Sequence, residues 1–327
     1  MHLNGKTILL FCPTFFKYEQ NIKSALEELG AVVYWFDDRP SNDFFSKLII
    51  RFNRNLLSRR IDHYYSEIIS TLSKDNVELD YVFLVNPESL TVSSLKKIKL
   101  RYPKASTVLY MWDSIKNRKK TVDLLPYIDA KFTFDPHDAQ EFGMTLRPLF
   151  FIDTYKDKGT KPKYDLLFIG TAHSDRFILV KRILDSLDSR IVSKLYFYLS
   201  SKALFVARKL FDSTFRSVRY ADISFESLSH EAISKLMGES KAILDINHPE
   251  QVGLTMRTLE TLGSQRKLVT TNNDIRNYDF YNDNNILIID RAHPRIPDDF
   301  FMRPFLPYAP DVLAKYSIHG WVNTIFK

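Results

Sequence analysis

The sequence predicts an α/β protein made of two doubly wound, Rossmann-like domains. Three observations carry the prediction. Short apolar runs alternate with segments of helical spacing, and they start at Lys6–Phe11. The same pattern restarts at Tyr164–Gly170, beyond a lysine-rich stretch broken by Gly159 and Pro162. Polar residues gather just after successive runs, where open α/β sheets bind ligands.

In the first half, Lys6–Phe11 reads as a strand and Glu19–Leu29 as a helix that stops at Gly30, and Ala31–Phe36 is the second strand. Asp80–Val85, Ser106–Met111 and Ala130–Phe134 are the next three strands. They end in Asn86-Pro87-Glu88, Trp112-Asp113-Ser114 and Asp135-Pro136-His137-Asp138. The loop after the first strand lacks the G-x-G-x-x-G pattern of a standard dinucleotide site. Phe44–Arg60 puts Phe44, Phe45, Leu48, Ile49, Phe52 and Leu56 on one helical face and Lys47, Arg51 and Arg54 opposite, with no acid. It suits either a packed helix with a solvated basic face or a helix lying on an anionic membrane.

Asp153–Lys163 reads as a linker. In the second half, Phe177–Leu187 and Ser229–Met237 read as helices, and Lys194–Phe197 and Asn285–Asp290 as strands. The basic, aromatic run Ser201–Arg219 either covers the sheet or faces an anion. The stretch 243–272 is the most informative. Ala242–Ile246 is a buried-strand pattern broken by His248-Pro249. Leu254, Met256, Leu259 and Leu262 follow at helical spacing, Gly263 is the expected stop, and Leu268-Val269 opens the next strand. Arg257 and Glu260 share a face of this helix. They form either a solvated ion pair or a grip on phosphate and ribose near a helix N-terminus.

The bulk properties bound the function. The chain has 327 residues, enough for two domains, with 45% hydrophobic and 26% charged residues. No run approaches the roughly 20 apolar residues of a membrane span. Thr7–Cys12 is too short and strand-like for a signal peptide, so a cytoplasmic location is expected. One cysteine, Cys12, excludes an intrachain disulfide and a cysteine zinc site. A net charge of +7 points to an anionic partner such as nucleic acid, acidic lipid or nucleotide phosphate.

Tyr110–Asp113, Phe134–His137, Phe168–Gly170, Asp245–Pro249, Tyr278–Tyr281 and the 253–272 helix-and-strand segment resemble bacterial GT-B glycosyltransferases of the capsule, O-antigen and lipopolysaccharide group. The resemblance implies GT-B architecture, two Rossmann-like domains facing a cleft. Residues 1–155 would form the acceptor side, 156–300 the nucleotide-sugar domain, and 301–327 a tail packing back across both. It implies a nucleotide-sugar donor and a glycan or lipid-linked acceptor, with no metal, cofactor or nucleic acid. Arg257 would bind phosphate and Glu260 ribose, and Gly170 would let the backbone approach the donor. His173 and Arg176 would reach the diphosphate, with His248, Gln251 and Thr255 also on the donor side. Many such enzymes carry a second glutamate eight positions before the ribose residue, and here that position is Val252.

For the acceptor proton, Asp113 is the first candidate base, with capping of a helix that Ser114-Ile115 begins as its alternative role. Asp135, His137 and Glu19 are further candidates. A nucleotide-sugar epimerase or hydrolase of the same fold is one alternative. A basic nucleic-acid-binding protein is another, although no nucleic-acid-binding motif is present. Contact with the inner face of the cytoplasmic membrane would run through Phe44–Arg60.

Overall fold

A computed structural model describes residues 3–41, 54–172 and 175–327. The chain folds as two compact units, Met1–Pro148 with Ile318–Lys327, and Leu149–Ser317. The first boundary lies seven residues before the expected one. Phe151 and Tyr155 are fully enclosed in the second unit, and the Phe151 amide bonds the Tyr316 carbonyl. Phe151 also bridges to Ser317. The Asp153 end of the expected linker is therefore structural. The expected tail divides at Ser317/Ile318, its earlier part in the second unit and its last helix in the first.

The first unit holds six parallel strands, β1 (Thr7–Phe11), β2 (Val32–Phe36), β3 (Tyr81–Val85), β4 (Ser106–Met111), β5 (Ala130–Thr133) and β6 (Thr145–Leu146), in the order β2-β1-β3-β4-β5-β6. The chain runs from β1 outward to β2 and then returns past β1 to β3. Right-handed crossovers on both sides of that reversal put helices on opposite faces. One face buries Leu9, Val82, Leu84 and Leu109 under Ile61, Tyr65 and Ile68 of the Ser58–Lys74 helix and Leu95 and Ile98 of the Val92–Arg101 helix. On the other face, the last helix, Ile318–Ile325, sets Trp321 edge-on to Tyr110 with ring centroids 4.7 Å apart and against Phe83. Most of Phe44–Arg60 lies outside the described residues. Arg59 and Arg60 are exposed in the first turn of the Ser58–Lys74 helix.

The second unit has six parallel strands, β7 (Tyr164–Thr171), β8 (Ser193–Tyr198), β9 (Ile223–Ser224), β10 (Ser240–Asp245), β11 (Lys267–Thr270) and β12 (Ile286–Ile288), in the order β12-β11-β10-β7-β8-β9. The reversal falls between β7 and β10. Leu166, Phe168, Leu244 and Val269 pack under Phe177, Val180 and Ile183 of the Arg176–Asp185 helix. Leu167, Ile243 and Leu268 alternate to the other face. The near-continuous apolar runs of these strands reflect burial on both faces.

The Met256–Gly263 helix stops at Gly263 as expected, but not through a left-handed glycine. Gly263 is its last residue, and the left-handed turn falls on Gln265, with φ of 47°. A Cβ at Gly263 would stand 2.6 Å from the Phe151 ring. Close packing, rather than a turn, therefore requires this glycine. Gly30, with φ of 94°, does stop the Tyr18–Glu28 helix as expected.

Candidate active site

In an open parallel sheet, the two strands that flank the reversal send their crossovers to opposite faces. This leaves a crevice at their carboxyl ends. In the second unit those ends are Gly170–Ala172, where β7 finishes, and Asp245–His248, where β10 finishes. Arg176 ties them together. Its Nε donates to the Ile246 carbonyl at 2.8 Å and its guanidinium NH1 to the Thr171 hydroxyl at 3.1 Å. Burial pushes the Arg176 pKa down. Asp245 and Asp175 oppose that shift, and Arg291 and Arg257 add to it. The charges of Arg291 and Arg257 therefore both act on Arg176 at this end of the sheet. Arg291, from the loop after β12, donates to Asp175 at 2.5 Å and to the Asn247 carbonyl.

The loop between β10 and the Met256–Gly263 helix is closed by its own polar groups. The Asn247 amide donates to the Gln251 carbonyl at 2.7 Å, and Asn272 donates to the Val252 carbonyl at 2.8 Å. Asp245 is buried at the strand end and accepts from the Thr255 and Thr258 hydroxyls at 2.5 and 2.7 Å. Thr255 is also the N-cap, accepting from the Thr258 amide. Thr255 thus fixes the helix start, and the side-chain amide of Gln251 braces the loop through the Gly253 carbonyl. His248 is exposed, its Nδ1 accepting from the Glu250 amide at 3.3 Å. His173 lies outside the described residues.

Arg257 and Glu260 form an ion pair of 2.6 Å. It is not on a solvated face. The Glu260 side chain is 4% exposed and that of Arg257 16%. Tyr155 stands beside them, its hydroxyl 2.8 Å from His230 Nδ1. Burial first, and then the Glu260 charge, raise the Tyr155 pKa. Glu260 thus aims Arg257, which also reaches Met237 Sδ at 3.4 Å. Gly170 has a packing reason of its own, since a Cβ there would lie 2.8 Å from the buried Phe168 ring.

The first unit has its own reversal, between β1 and β3, and an acidic network spreads along the strand ends. Asp38 is fully buried and accepts from the Glu88 and Ser89 amides, each at 2.7 Å. Asn86, left-handed with φ of 48°, turns the chain that carries them. Burial raises the Asp38 pKa. Asp113 accepts from the Ser114 amide at 3.0 Å and from the Asn117 side chain at 2.8 Å, and pairs with Arg118 at 3.2 Å. No helix starts at Ser114, so Asp113 braces a turn rather than capping a helix, and its side chain remains 28% exposed.

The other candidate bases occupy bracing positions. Glu19 is 1% exposed and accepts from the Phe15 amide at 3.0 Å, holding a loop in which Phe16 and Lys17 are both left-handed. Asp135 caps the Pro136–Phe142 helix through the His137 amide, and His137 itself is exposed.

The sequence reading singled out neither Arg291 nor Asp138. Asp138 is buried and accepts from the Ile115 amide at 2.8 Å. Burial, with help from Asp135, Glu141 and Asp113, pushes its pKa up to about 6. A signal existed for Asp138, the third polar residue of the run Asp135-Pro136-His137-Asp138 after a strand end. None existed for Arg291. Among the described residues, no three His, Cys, Asp or Glu side chains gather as a metal-ligand set.

Two parallel six-stranded Rossmann-like units define the α/β GT-B fold. The chain is similar to the solved structure of Anabaena HepE in complex with UDP and glucose, at 12% identity over 98% of both chains with a TM-score of 0.61. It is similar to the lipopolysaccharide outer core galactosyltransferase WaaB, at 13% identity over 98% of both chains and a TM-score of 0.52. OtsA matches at 10% identity over 98% of both chains and a TM-score of 0.56. No protein-family model matches the chain, and no curated protein sequence matches it.

Proposed function

We propose that the chain is a glycosyltransferase that takes a sugar from a nucleotide-sugar and passes it to a cell-surface polysaccharide or lipid-linked glycan. The observation that carries this reading is the pair of guanidinium groups at the β7/β10 reversal, Arg176 on the Ile246 carbonyl and Arg291 on the Asn247 carbonyl, with the Arg257 charge acting on Arg176. A nucleoside diphosphate is the ligand that such a group suits. Arg176 and Arg291 would hold the diphosphate, with Arg257 as a third cation aimed by Glu260. Glu260 would also meet the ribose hydroxyls if Arg257 turns toward phosphate. Loss of the diphosphate leaves negative charge on the leaving group, and fixed cations stabilise that charge as it develops. On this reading the arginines take the role a divalent metal plays elsewhere.

The neighbours support the donor class. HepE was solved with UDP and glucose and with UDP-glucose, and WaaB is described as a lipopolysaccharide galactosyltransferase. On the acceptor side Asp113 would take the proton, since its carboxylate keeps an exposed edge, and buried Asp138 would support it from below. Contact with an anionic membrane through Phe44–Arg60 belongs to the same reading. A panel of UDP-, GDP-, CMP-, ADP- and TDP-sugars, read by thermal shift and donor hydrolysis, tests it. Stabilisation by one donor class is expected. The absence of any shift and any turnover across the panel would overturn it.

A further inference from the structure

The helix Lys202–Phe211, on the crossover between β8 and β9, has the wrong residues facing outward for an ordinary surface helix. It is anchored by Phe205, which packs edge-on against Phe215 at 5.6 Å and Tyr220 at 5.5 Å. Arg208 lies over the Phe215 ring and donates to the Ala172 carbonyl at 3.0 Å. The opposite face carries Val206 at 56%, Leu210 at 66% and Phe211 at 88% exposure. A surface helix normally turns such residues inward and polar ones outward. Here both faces are apolar, and the outward one stays exposed among the described residues.

The segment around that face is basic. Lys202 and Arg216 are exposed, Arg219 is exposed but paired with Asp222 at 3.0 Å, and Arg208 and Lys209 lie toward the anchored side. Asp212 is the single acid between Ser201 and Arg219. Asp212 is committed to the Thr214 amide and hydroxyl at 2.9 and 2.6 Å. Lys209 reaches the Arg216 carbonyl at 2.6 Å and lies over the Phe205 ring, on the anchored side. Outward apolar side chains in a basic segment match an anionic lipid surface, where the apolar face sinks into the headgroup boundary and the cations meet phosphate. A second copy of the chain is a poorer occupant, because a two-fold contact would set this basic segment against itself.

We propose that the outward face of Lys202–Phe211 is a membrane-docking surface in the second unit that takes anionic lipid, separate from Phe44–Arg60. The proposal does not rest on sugar transfer, since vesicle binding is read without a donor. The full chain is tested by co-sedimentation with vesicles of phosphatidylcholine mixed with phosphatidylglycerol, and with phosphatidylcholine alone. Wild type should bind the mixed vesicles, and added salt should weaken binding. Leu210→Ser with Phe211→Ser should weaken partitioning by about tenfold or more, given the transfer energy of two apolar side chains. The melting temperature should be retained, because both side chains already face water. If the double variant melts early, Phe211→Glu alone carries the test. Failure of wild type to bind, equal binding to neutral vesicles, or unchanged binding by these variants would overturn the proposal. A dimer that the double variant disrupts, without vesicle binding, would assign the face to a second copy instead.

Discussion

Removing one partner of the Arg257–Glu260 pair separates its structural role from its binding role. The pair is 2.6 Å long, and its side chains are 16% and 4% exposed. Glu260→Gln leaves a largely buried guanidinium without its carboxylate. Breaking one side of a buried pair is expected to cost about 3–5 kcal/mol. The lower end applies here because Arg257 keeps some exposure. Arg257→Met with Glu260→Leu removes both charges at similar volume and should fall close to wild-type stability. The two behaviours diverge when nucleotide is added. If Arg257 contacts phosphate, the stable double variant loses about 1.5–3 kcal/mol of binding, roughly ten- to 150-fold in Kd. Urea unfolding and calorimetric nucleotide titration of both variants supply the numbers. A double variant that binds nucleotide as tightly as wild type would return the pair to a purely structural role. A Glu260→Gln variant with unchanged stability would refute the buried-pair reasoning itself.

Three further outcomes are expected. Gly263→Ala should lower stability by about 1–3 kcal/mol in denaturant unfolding, because the new Cβ would stand 2.6 Å from the enclosed Phe151 ring. Trp321→Ala should cost about 3–5 kcal/mol, with the loss in the first unit, since the side chain is fully buried against Tyr110 and Phe83. Asp138 has a folded pKa of about 6 against an ordinary 3.8, so the fold binds its proton more tightly than the unfolded chain does. Its contribution is therefore present below about pH 4 and lost as pH rises through about 6, by up to about 3 kcal/mol at 1.4 kcal/mol per pKa unit. Asp138→Asn should remove that part of the pH profile and gain on wild type at alkaline pH, which melting curves across pH will show.

The strands were legible because parallel sheets buried on both faces need unbroken apolar runs. Ser106–Met111 matches residue for residue, and most others differ by one or two at an end. The unit boundary was not legible. Leu149–Ile152 is an apolar run whose destination depends on Ser317 and Gly263, far along the chain. A returning tail was legible in the last residues, but nothing in Ile318–Ile325 says that Trp321 packs on Tyr110. Arg257 and Glu260 were visible as a pair through their spacing, whereas their burial comes from Tyr155 and the neighbouring elements. Arg291 and Asp138 gain their character from tertiary neighbours, the former from Asp175 and Asn247 and the latter from the Ile115 amide. Glu19 shows the reverse error. A carboxylate early in a helix after a strand suggests chemistry, and its burial under the Phe15 loop makes it a brace.

The central claim is that the β7/β10 reversal of the second unit holds the donor. Amide hydrogen exchange, with and without a nucleotide-sugar that stabilises the chain, tests it most directly. Slowed exchange is expected in 169–172, 175–177 and 246–258, on the two sides of the crevice, with loss of that protection in Arg291→Ala. Protection confined to the first unit, or the same protection in Arg291→Ala, would contradict it.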